Sequence, residues 1–287
     1  MEVIIGKNAG FCYGVQIAVD GAKEELRNRP ENDKIYVLGE IVHNKQVVNE
    51  LQDKGLIVAE DIEKVNNKIL FRAHGVAREV YEKAKENCLE VKDFTCKKVL
   101  KIHDIAREYA NNSYFIILVG AKNHPENIGT ISYCGKNSYI LENKENIPEV
   151  IQIIEKENRK VLLIAQTTYS VNKFEEISKE IKQKLESLNI ELKVNNTICA
   201  ATAIRQKETE EISKITDCMI IIGGKNSSNT KKLYNISKEN VETYLIETVN
   251  ELEKEDFINF NKVGIMAGTS TPNNSIIEVR KFLESIE

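Results

Sequence analysis

Residues 96–126 read CKKVLKIHDIAREYANNSYFIILVGAKNHPE, and this stretch decides the fold class. Apolar residues recur at helical spacing over 97–110, which predicts an amphipathic helix directly after Cys96. The continuous apolar run over 114–119 predicts a buried strand, and Gly120 then opens a polar turn. A helix that leads to a buried strand ending in a polar turn is typical of α/β proteins with parallel strands.

The same order of a cysteine, a helical pattern, an apolar strand and a polar turn occurs three times along the chain. Cys12, Cys96 and Cys199 each begin a helical pattern, and each pattern leads to an apolar strand that ends in glycine. The spacing from cysteine to glycine is 27, 24 and 24 residues. Each unit also has a later strand that ends in a second polar turn, and these turns are Ala73-His74-Gly75, Gln166-Thr167-Thr168 and Thr269-Ser270-Thr271. Such repetition predicts three related α/β domains.

The predicted fold is α/β, with three pseudo-threefold-related domains that each contain a small parallel sheet. The clearest predicted strands cover 35–38, 69–72, 114–119, 161–165, 218–222 and 263–267. The clearest predicted helices cover 97–110, 171–188, 203–214 and 275–284. We place the first domain, with an N-terminal strand, at 1–96, the second at 97–197, and the third, with a C-terminal helix, at 198–287.

The composition is that of an ordinary globular protein, since 41% of the 287 residues are hydrophobic and 29% are charged. The formal net charge is −4, and the basic residues are scattered over predicted helix faces, which argues against a nucleic-acid partner. No apolar stretch approaches the ~18 residues that a membrane span needs, and the N-terminal sequence lacks the features of a signal peptide. We therefore expect a cytoplasmic protein with no membrane partner.

The six cysteines should stay reduced in that compartment, so they are free thiols, metal ligands or catalytic groups before they are disulfides. Cys12, Cys96 and Cys199 recur at one place in the repeat, which favours a metal or a cluster. Three thiolates leave one coordination position open, as catalytic metal sites do, and zinc would satisfy the same count as an iron–sulfur cluster. The other three are interpreted as small buried hydrophobic residues, and they are Cys88, Cys134 and Cys218.

Three of the four histidines fall in predicted turns at strand ends, and they are His43, His74 and His124. Any one alone is most simply a surface or hydrogen-bonded histidine, and His103, inside a predicted helix, keeps that interpretation. Ligands of open parallel sheets bind outside the carboxyl ends of the strands. If the three domains face a common centre, the turn histidines and the repeated cysteines converge on one cavity.

Small polar residues in the same turns would complete a neutral cradle suited to a diphosphate, and they are Thr167, Ser227, Ser228, Asn229 and Ser270. The run Ser227-Ser228-Asn229 precedes a predicted helix, where it could cap the helix, bind an anion or do both. Glu126 is the carboxylate placed best to act as an acid or a base, although a carboxylate in a first helical turn also stabilises the helix dipole.

The motifs together resemble the 4-hydroxy-3-methylbut-2-enyl diphosphate reductases along essentially the whole chain. They are Gly-Phe-Cys12-Tyr-Gly-Val, Ile-Val-His43-Asn, Arg-Ala-His74-Gly-Val, Asp-Phe-Thr-Cys96, Asn-His124-Pro-Glu126, Gln-Thr167-Thr168, Asn-Thr-Ile-Cys199, Ser227-Ser228-Asn229 and Ala-Gly-Thr-Ser270-Thr-Pro. The resemblance implies reductive dehydroxylation of that substrate to isopentenyl and dimethylallyl diphosphate, the last step of the non-mevalonate isoprenoid pathway. It also implies a cloverleaf of three α/β domains around one [4Fe–4S] cluster per chain, with ferredoxin or flavodoxin as the electron donor.

Residue roles follow from the same resemblance. Cys12, Cys96 and Cys199 would hold the cluster, whose fourth iron would take the substrate hydroxyl. Thr167 would help to place the hydroxymethyl end, and Glu126 would deliver the proton. The residues implied to hold the diphosphate are His43, His74, His124, Ser227, Ser228, Asn229 and Ser270. The residues alone leave two alternatives open, a non-catalytic iron–sulfur or zinc protein that senses metal or redox state, and a cluster-free thiol hydrolase of a phosphorylated metabolite.

Overall fold

The computed structural model describes residues 1–31 and 33–286. The strands are β1 (Glu2–Ile5), β2 (Ile35–Leu38), β3 (Leu56–Ala59), β4 (Lys68–Phe71), β5 (Glu90–Asp93), β6 (Phe115–Val119), β7 (Ser138–Leu141), β8 (Val161–Ala165), β9 (Leu192–Val194), β10 (Cys218–Ile222), β11 (Glu242–Ile246) and β12 (Lys262–Ala267).

The α-helices are α1 (Tyr13–Arg27), α2 (Lys45–Asp53), α3 (Arg78–Glu86), α4 (Lys97–Asn111), α5 (Pro125–Ile131), α6 (Ile147–Glu157), α7 (Val171–Ser187), α8 (Ala200–Ser213), α9 (Ser228–Lys238) and α10 (Asn273–Glu284). Short 3-10 turns lie at Ile62–Lys64, Lys144–Asn146, Val249–Glu251 and Lys254–Asp256. Within the described ranges, no helix is long and apolar enough to cross a membrane.

Three small parallel sheets share one strand order. The first sheet runs β3-β2-β4-β5, the second runs β7-β6-β8-β9, and the third runs β11-β10-β12-β1. Every neighbouring pair of strands is parallel. The third sheet takes its fourth strand, β1, from the start of the chain, so this sheet combines strands from both ends of the sequence. The predicted α/β fold with three related parallel sheets is therefore confirmed.

The inner strands are the ones that the sequence predicts. All six predicted strands are inner strands of a sheet, and each agrees with the observed bounds to within one residue at either end. The N-terminal strand that the sequence predicts is the edge strand β1, and the other five edge strands were not predicted, because they are short and partly exposed. β5, for example, reads EVKD and buries none of its four residues. The four predicted helices are also confirmed, although α8 and α10 begin earlier, at Ala200 and Asn273.

The chain divides into two compact units, each with its own apolar cores. Unit 1 comprises Met1–Asp20, Val42–Lys54 and Ala200–Glu287, and unit 2 comprises Gly21–Ile41 and Gly55–Cys199. Unit 1 contains the third sheet, with apolar residues buried against its two faces. Unit 2 contains the first and second sheets, and the second sheet is likewise covered on both faces. The three domain boundaries given by the repeat stay a prediction.

Candidate active site

The three repeated cysteines occupy equivalent places in the three sheets. Each lies directly before a helix, and each backbone N–H donates to a carbonyl in the turn that follows an inner strand of its own sheet. The pairs are Cys12 with Thr269 (3.0 Å), Cys96 with Ala73 (3.1 Å) and Cys199 with Thr167 (2.9 Å). All three thiols are partly exposed and none forms a disulfide. The sequence repeat is thus a repeat of three-dimensional contacts.

The remaining cysteines have different surroundings. Cys134 and Cys218 are buried, and loss of hydration raises the pKa of each thiol to about 12. A thiol with such a pKa stays protonated, so the prediction of small buried hydrophobic residues is confirmed for both. For Cys88 the prediction is wrong. Cys88 is exposed at the end of α3, where its φ of 52° lies in the left-handed region that often ends a helix.

The first polar turn of each repeat begins at a glycine whose N–H donates to the end of an edge strand. The pairs are Gly39 with Ala59, Gly120 with Leu141 and Gly223 with Ile246. At Gly223 the φ is 150°, and a Cβ there would lie 2.6 Å from the hydroxyl of Thr230. Only glycine permits that close approach without a shift of the neighbouring side chain. The residue four positions after each glycine is a predicted ligand, and the three are His43, His124 and Ser227.

Helices begin at each of these turns, so their free N–H groups lie beside the predicted ligands. Asn44 caps α2 by accepting from the N–H of Val47 at 3.3 Å, and Ser227 caps α9 by accepting from the N–H of Thr230 at 3.3 Å. The capping role expected for Ser227 is therefore observed. A helix N-terminus is also a favourable place for an anion, and α9 is long enough to develop that dipole.

Unit 1 brings together the predicted ligands His43, Ser227, Asn229 and Ser270. The hydroxyl of Ser270 donates to the carbonyl of His43 at 3.1 Å. A Cβ on Gly224 would lie 2.5 Å from the same carbonyl oxygen, so the His43 turn packs directly on the turn that leads into α9. Ser228, the next predicted ligand, accepts a hydrogen bond from Lys232 at 2.7 Å.

Asn229 is the side chain in unit 1 that most clearly needs a partner. It is 1% exposed, and neither its amide oxygen nor its amide nitrogen has a hydrogen-bond partner among the described residues. Buried amides are nearly always hydrogen-bonded, so an amide in this state is suited to a ligand. The same position in the second repeat is occupied by Glu126, since both residues lie six positions after the turn glycine.

Unit 2 joins Glu126 to Thr167. One carboxylate oxygen of Glu126 accepts from the backbone N–H of Thr167 at 2.6 Å, and the other accepts from the Thr167 hydroxyl at 2.6 Å. Glu126 is 2% exposed and lies in the first turn of α5. A buried carboxylate held by two short hydrogen bonds has a fixed orientation. The helix-dipole interpretation alone does not account for this contact, because Thr167 comes from a different segment.

His74 and His124 also meet in unit 2. Their ring centroids are 5.7 Å apart, edge to face. Nδ1 of His124 accepts from the N–H of Glu126 at 3.2 Å, which ties the His124 ring to the first turn of α5.

Two buried polar residues beside this group were missed by sequence reasoning. Asn127 donates to the side-chain oxygen of Gln166 at 3.0 Å and to the carbonyl of Ala121 at 2.8 Å. Gln166 in turn donates to the Thr168 hydroxyl at 2.9 Å. The network ties the turn after β6 to the turn after β8. Only their positions in the sequence could have indicated a role, because Asn127 directly follows Glu126 and Gln166 directly precedes Thr167.

The observed surroundings of His103 differ from the predicted ones. It is 3% exposed, its ring stacks on Tyr133 with centroids 4.5 Å apart, and neither ring nitrogen has a hydrogen-bond partner among the described residues. Burial lowers its pKa to about 4, so the ring is neutral near pH 7. The prediction of a surface or hydrogen-bonded histidine is wrong for His103, because the turns that cover it are distant in sequence.

Comparison with known proteins places the whole chain in one family. A family model described as LytB protein matches residues 3–284. The chain belongs to the LytB family. It is 40% identical to a protein of Clostridioides difficile over the full length of both chains, and 40% identical to one of Aquifex aeolicus over all of this chain and 97% of that one. Both LytB relatives are named 4-hydroxy-3-methylbut-2-enyl diphosphate reductase.

A solved LytB relative has the same fold. The structure of the E-1-hydroxy-2-methyl-but-2-enyl-4-diphosphate reductase from Plasmodium falciparum aligns with a TM-score of 0.89 at 32% identity, covering 99% of this chain and 87% of that one. The family predicted from the motifs is confirmed, and with it the prediction that the chain is an oxidoreductase. Membership also favours a reductase over the metal sensor and the thiol hydrolase.

The donor chemistry of the LytB cysteines fits an iron–sulfur cluster. Thiolates are the usual ligands of such clusters, and three partly exposed cysteines begin helices at equivalent places. Across residues 1–31 and 33–286, however, no three His, Cys, Asp or Glu side chains are grouped as metal ligands are. The cluster therefore stays a prediction that rests on the repeat and on the family.

Proposed function

We propose that this chain reduces 4-hydroxy-3-methylbut-2-enyl diphosphate to isopentenyl and dimethylallyl diphosphate, the last step of the non-mevalonate isoprenoid pathway. The observation that carries the proposal is the full-length match to two relatives with that name, each 40% identical. The reaction breaks the bond between carbon and the hydroxyl oxygen. It consumes two electrons and two protons, and it releases water.

Cys12, Cys96 and Cys199 would hold one [4Fe–4S] cluster. A bound cluster would pass the electrons from the donor to the substrate and offer one open coordination position. The other thiols are unsuited to this role for different reasons. Cys134 and Cys218 are buried with a raised pKa, and Cys88 lies at the end of α3 outside the repeated position.

Glu126 is the proposed source of the proton that leaves with the hydroxyl. Its carboxylate accepts from the Thr167 hydroxyl at 2.6 Å, so a protonated Glu126 can reverse this bond and donate to the Thr167 oxygen. Thr167 can then pass its own hydroxyl proton to the leaving oxygen. Hydroxide is a poor leaving group, and a positioned acid contributes on the order of 10²–10⁴ in rate.

The diphosphate would be held by neutral donors. In unit 1 these are the Asn229 amide, the Ser227, Ser228 and Ser270 hydroxyls, His43 and the first N–H groups of α9. In unit 2 they are His74 and His124, whose rings lie edge to face. The Asn229 amide, which has no hydrogen-bond partner within the described part of the chain, supports this role most directly, because a buried amide without a hydrogen bond costs about 1–3 kcal/mol.

The domain boundaries, the electron donor and the cellular compartment are also part of the proposal. We propose three domains, at 1–96, 97–197 and 198–287. Ferredoxin or flavodoxin is the proposed electron donor. The cytoplasm is the proposed compartment, since thiolate ligands need reducing surroundings.

Growth complementation tests the proposed function in a cell. A bacterium whose own terminal reductase gene is repressed, and which grows only when mevalonate feeds an introduced bypass, should grow without mevalonate when this chain is expressed. Chains carrying Cys96→Ser or Glu126→Gln serve as controls and should not restore growth. Failure of the wild-type chain to restore growth, with the protein present and loaded with iron, would contradict the proposal.

A further inference from the structure

Residues 6–10 form an irregular segment that leads from β1 to Cys12. A Cβ on Gly6 would overlap Sδ of Met266, and a Cβ on Gly10 would lie 3.3 Å from Cδ1 of Ile276. Gly10 also has a φ of 96°, which glycine adopts at little cost. The segment is therefore fitted closely into unit 1, and its polar backbone groups need partners outside any helix or strand of their own.

Glu208, on α8, accepts three hydrogen bonds from this segment. One carboxylate oxygen accepts from the N–H of Lys7 at 2.6 Å. The other accepts from the N–H and from the side-chain amide of Asn8, both at 3.0 Å. Hydrogen bonds to a carboxylate are stronger than those between neutral groups. Because both oxygens are used, the backbone at the start of the segment is fixed in distance and in direction relative to α8.

Arg205, one helical turn before Glu208, holds the other end of the segment. It is 4% exposed, and its Nη2 donates to the carbonyl of Gly10 at 2.9 Å. Its Nη1 donates to the carbonyl of Ala201, within α8, at 3.0 Å. Burial of a guanidinium is costly, and an uncharged side chain would avoid that cost. The bond to Gly10 fixes the backbone two positions before Cys12, which is a proposed cluster ligand.

The first sheet has an equivalent contact of a different kind. There the segment before Cys96 meets α1, since a Cβ on Gly21 would overlap the ring of Phe94. In both places a helix that follows one repeated cysteine contacts the segment that precedes another. The contact in the first sheet is apolar, whereas α8 uses two charged side chains. Apolar packing would fill the space, but hydrogen bonds also fix direction, so the charged pair holds the segment before Cys12 in one path.

We propose that Arg205 and Glu208 are positioning residues, which hold residues 6–10 so that the Cys12 thiol has the fixed place that a metal ligand needs. The proposal rests on the proposed function only in taking Cys12 as a cluster ligand. The N–H of Cys12 donates to the carbonyl of Thr269, and no variant of the two positioning residues removes either of these groups. A segment that α8 no longer holds should open more often, and the bond from Cys12 should open with it.

The first arm of the test measures hydrogen exchange of single backbone amides by mass spectrometry, in the full chain before and after its iron is removed. In Arg205→Met the N–H of Cys12 should exchange on the order of tenfold faster in both states, since loss of a charge-assisted hydrogen bond shifts an opening equilibrium by at least that factor. Arg205→Lys, which keeps one donor, should lie between. Lys207→Met is the matched control, because Lys207 is exposed on α8 and pairs with Glu211 at 3.7 Å.

Two internal references and a second variant make this arm specific. The N–H groups of Cys96 and Cys199 donate to turns of their own sheets, so they should exchange within about twofold of wild type in every protein. Glu208→Gln keeps one acceptor oxygen and is only partly buried, so it should fold where Arg205→Met does not. It should speed exchange at Cys12 in the same direction and by a smaller factor.

The second arm measures how fast a chelator removes iron from protein prepared without oxygen. Arg205→Met should lose iron roughly tenfold faster than wild type, the lower end of what loss of a group that orients a metal ligand costs, with Lys207→Met within about twofold. Wild-type exchange at Cys12 in both Arg205→Met and Glu208→Gln would overturn the positioning role, and so would faster exchange with unchanged iron loss. A wild-type protein that takes up no iron would instead count against the proposed function, and amide exchange would still decide whether α8 positions Cys12.

Discussion

Replacement of Glu126 by Gln removes the transferable proton and the charge while keeping the size and shape of the side chain. The two contacts to Thr167, both 2.6 Å, can survive, since the Gln oxygen can accept from the backbone N–H and the Gln nitrogen can donate to the hydroxyl oxygen. Charge-assisted bonds become neutral ones, so the free energy of unfolding should fall by about 1–3 kcal/mol. The fold, the cluster and substrate affinity should be retained.

The rate should fall much further than the stability. Loss of a positioned acid lowers the rate on the order of 10²–10⁴, which raises the barrier by about 2.7–5.4 kcal/mol. The assay is single-turnover product formation with a strong artificial reductant, so that docking of an electron-donor protein does not limit the rate. Glu126→Asp should retain more activity than Gln, and Thr167→Val should be as slow as Gln if the hydroxyl relays the proton, whereas Thr167→Ser should recover. Near wild-type turnover of Glu126→Gln with its iron content intact would refute this reasoning.

Three further predictions concern the cluster, the diphosphate and pH. Cys96→Ser should abolish the broad visible absorption of an iron–sulfur cluster while Cys134→Ala keeps it, and an unchanged spectrum in Cys96→Ser would remove that ligand from the set. Asn229→Ala should weaken substrate binding by roughly 1.5–3 kcal/mol in calorimetry, and an unaltered affinity would exclude the amide from the cradle. The folded pKa of His103, about 4, lies below its unfolded value near 6.5, so stability should fall as pH drops from about 6.5 to 4, by on the order of 3 kcal/mol. Urea unfolding at pH 7 and 4.5 should show this loss reduced in His103→Leu, and an equal loss in both proteins would contradict it.

The strands that could be predicted are the ones whose physical signal is continuous. Phe115–Val119 and Val161–Ala165 are apolar throughout because helices cover both faces of an inner strand. An edge strand such as Glu90–Asp93 is paired on one side only and tolerates charge, so its sequence carries no such signal. β1 was predicted as an N-terminal strand, but its pairing with β12 was not, because that pairing joins opposite ends of the chain.

The cysteines could be singled out because repetition supplies information that one cysteine lacks. The hydrogen bond between Glu126 and Thr167 could not be predicted, since 41 positions separate the two residues and only the fold brings them together. His103 was misjudged for a similar reason. Its covering glycines come from the His74 turn and from α5, and nothing in the local sequence of α4 marks it as buried without a partner.

Product formation by the purified chain is the most direct test of its reductase activity. The protein is prepared without oxygen, its iron and sulfide are measured, and it is mixed with 4-hydroxy-3-methylbut-2-enyl diphosphate and an artificial reductant. We expect isopentenyl and dimethylallyl diphosphate in amounts that match the substrate consumed, and neither product from Cys96→Ser. Protein that carries its cluster and binds the substrate, but returns it unchanged or releases only phosphate, would contradict the reductase assignment.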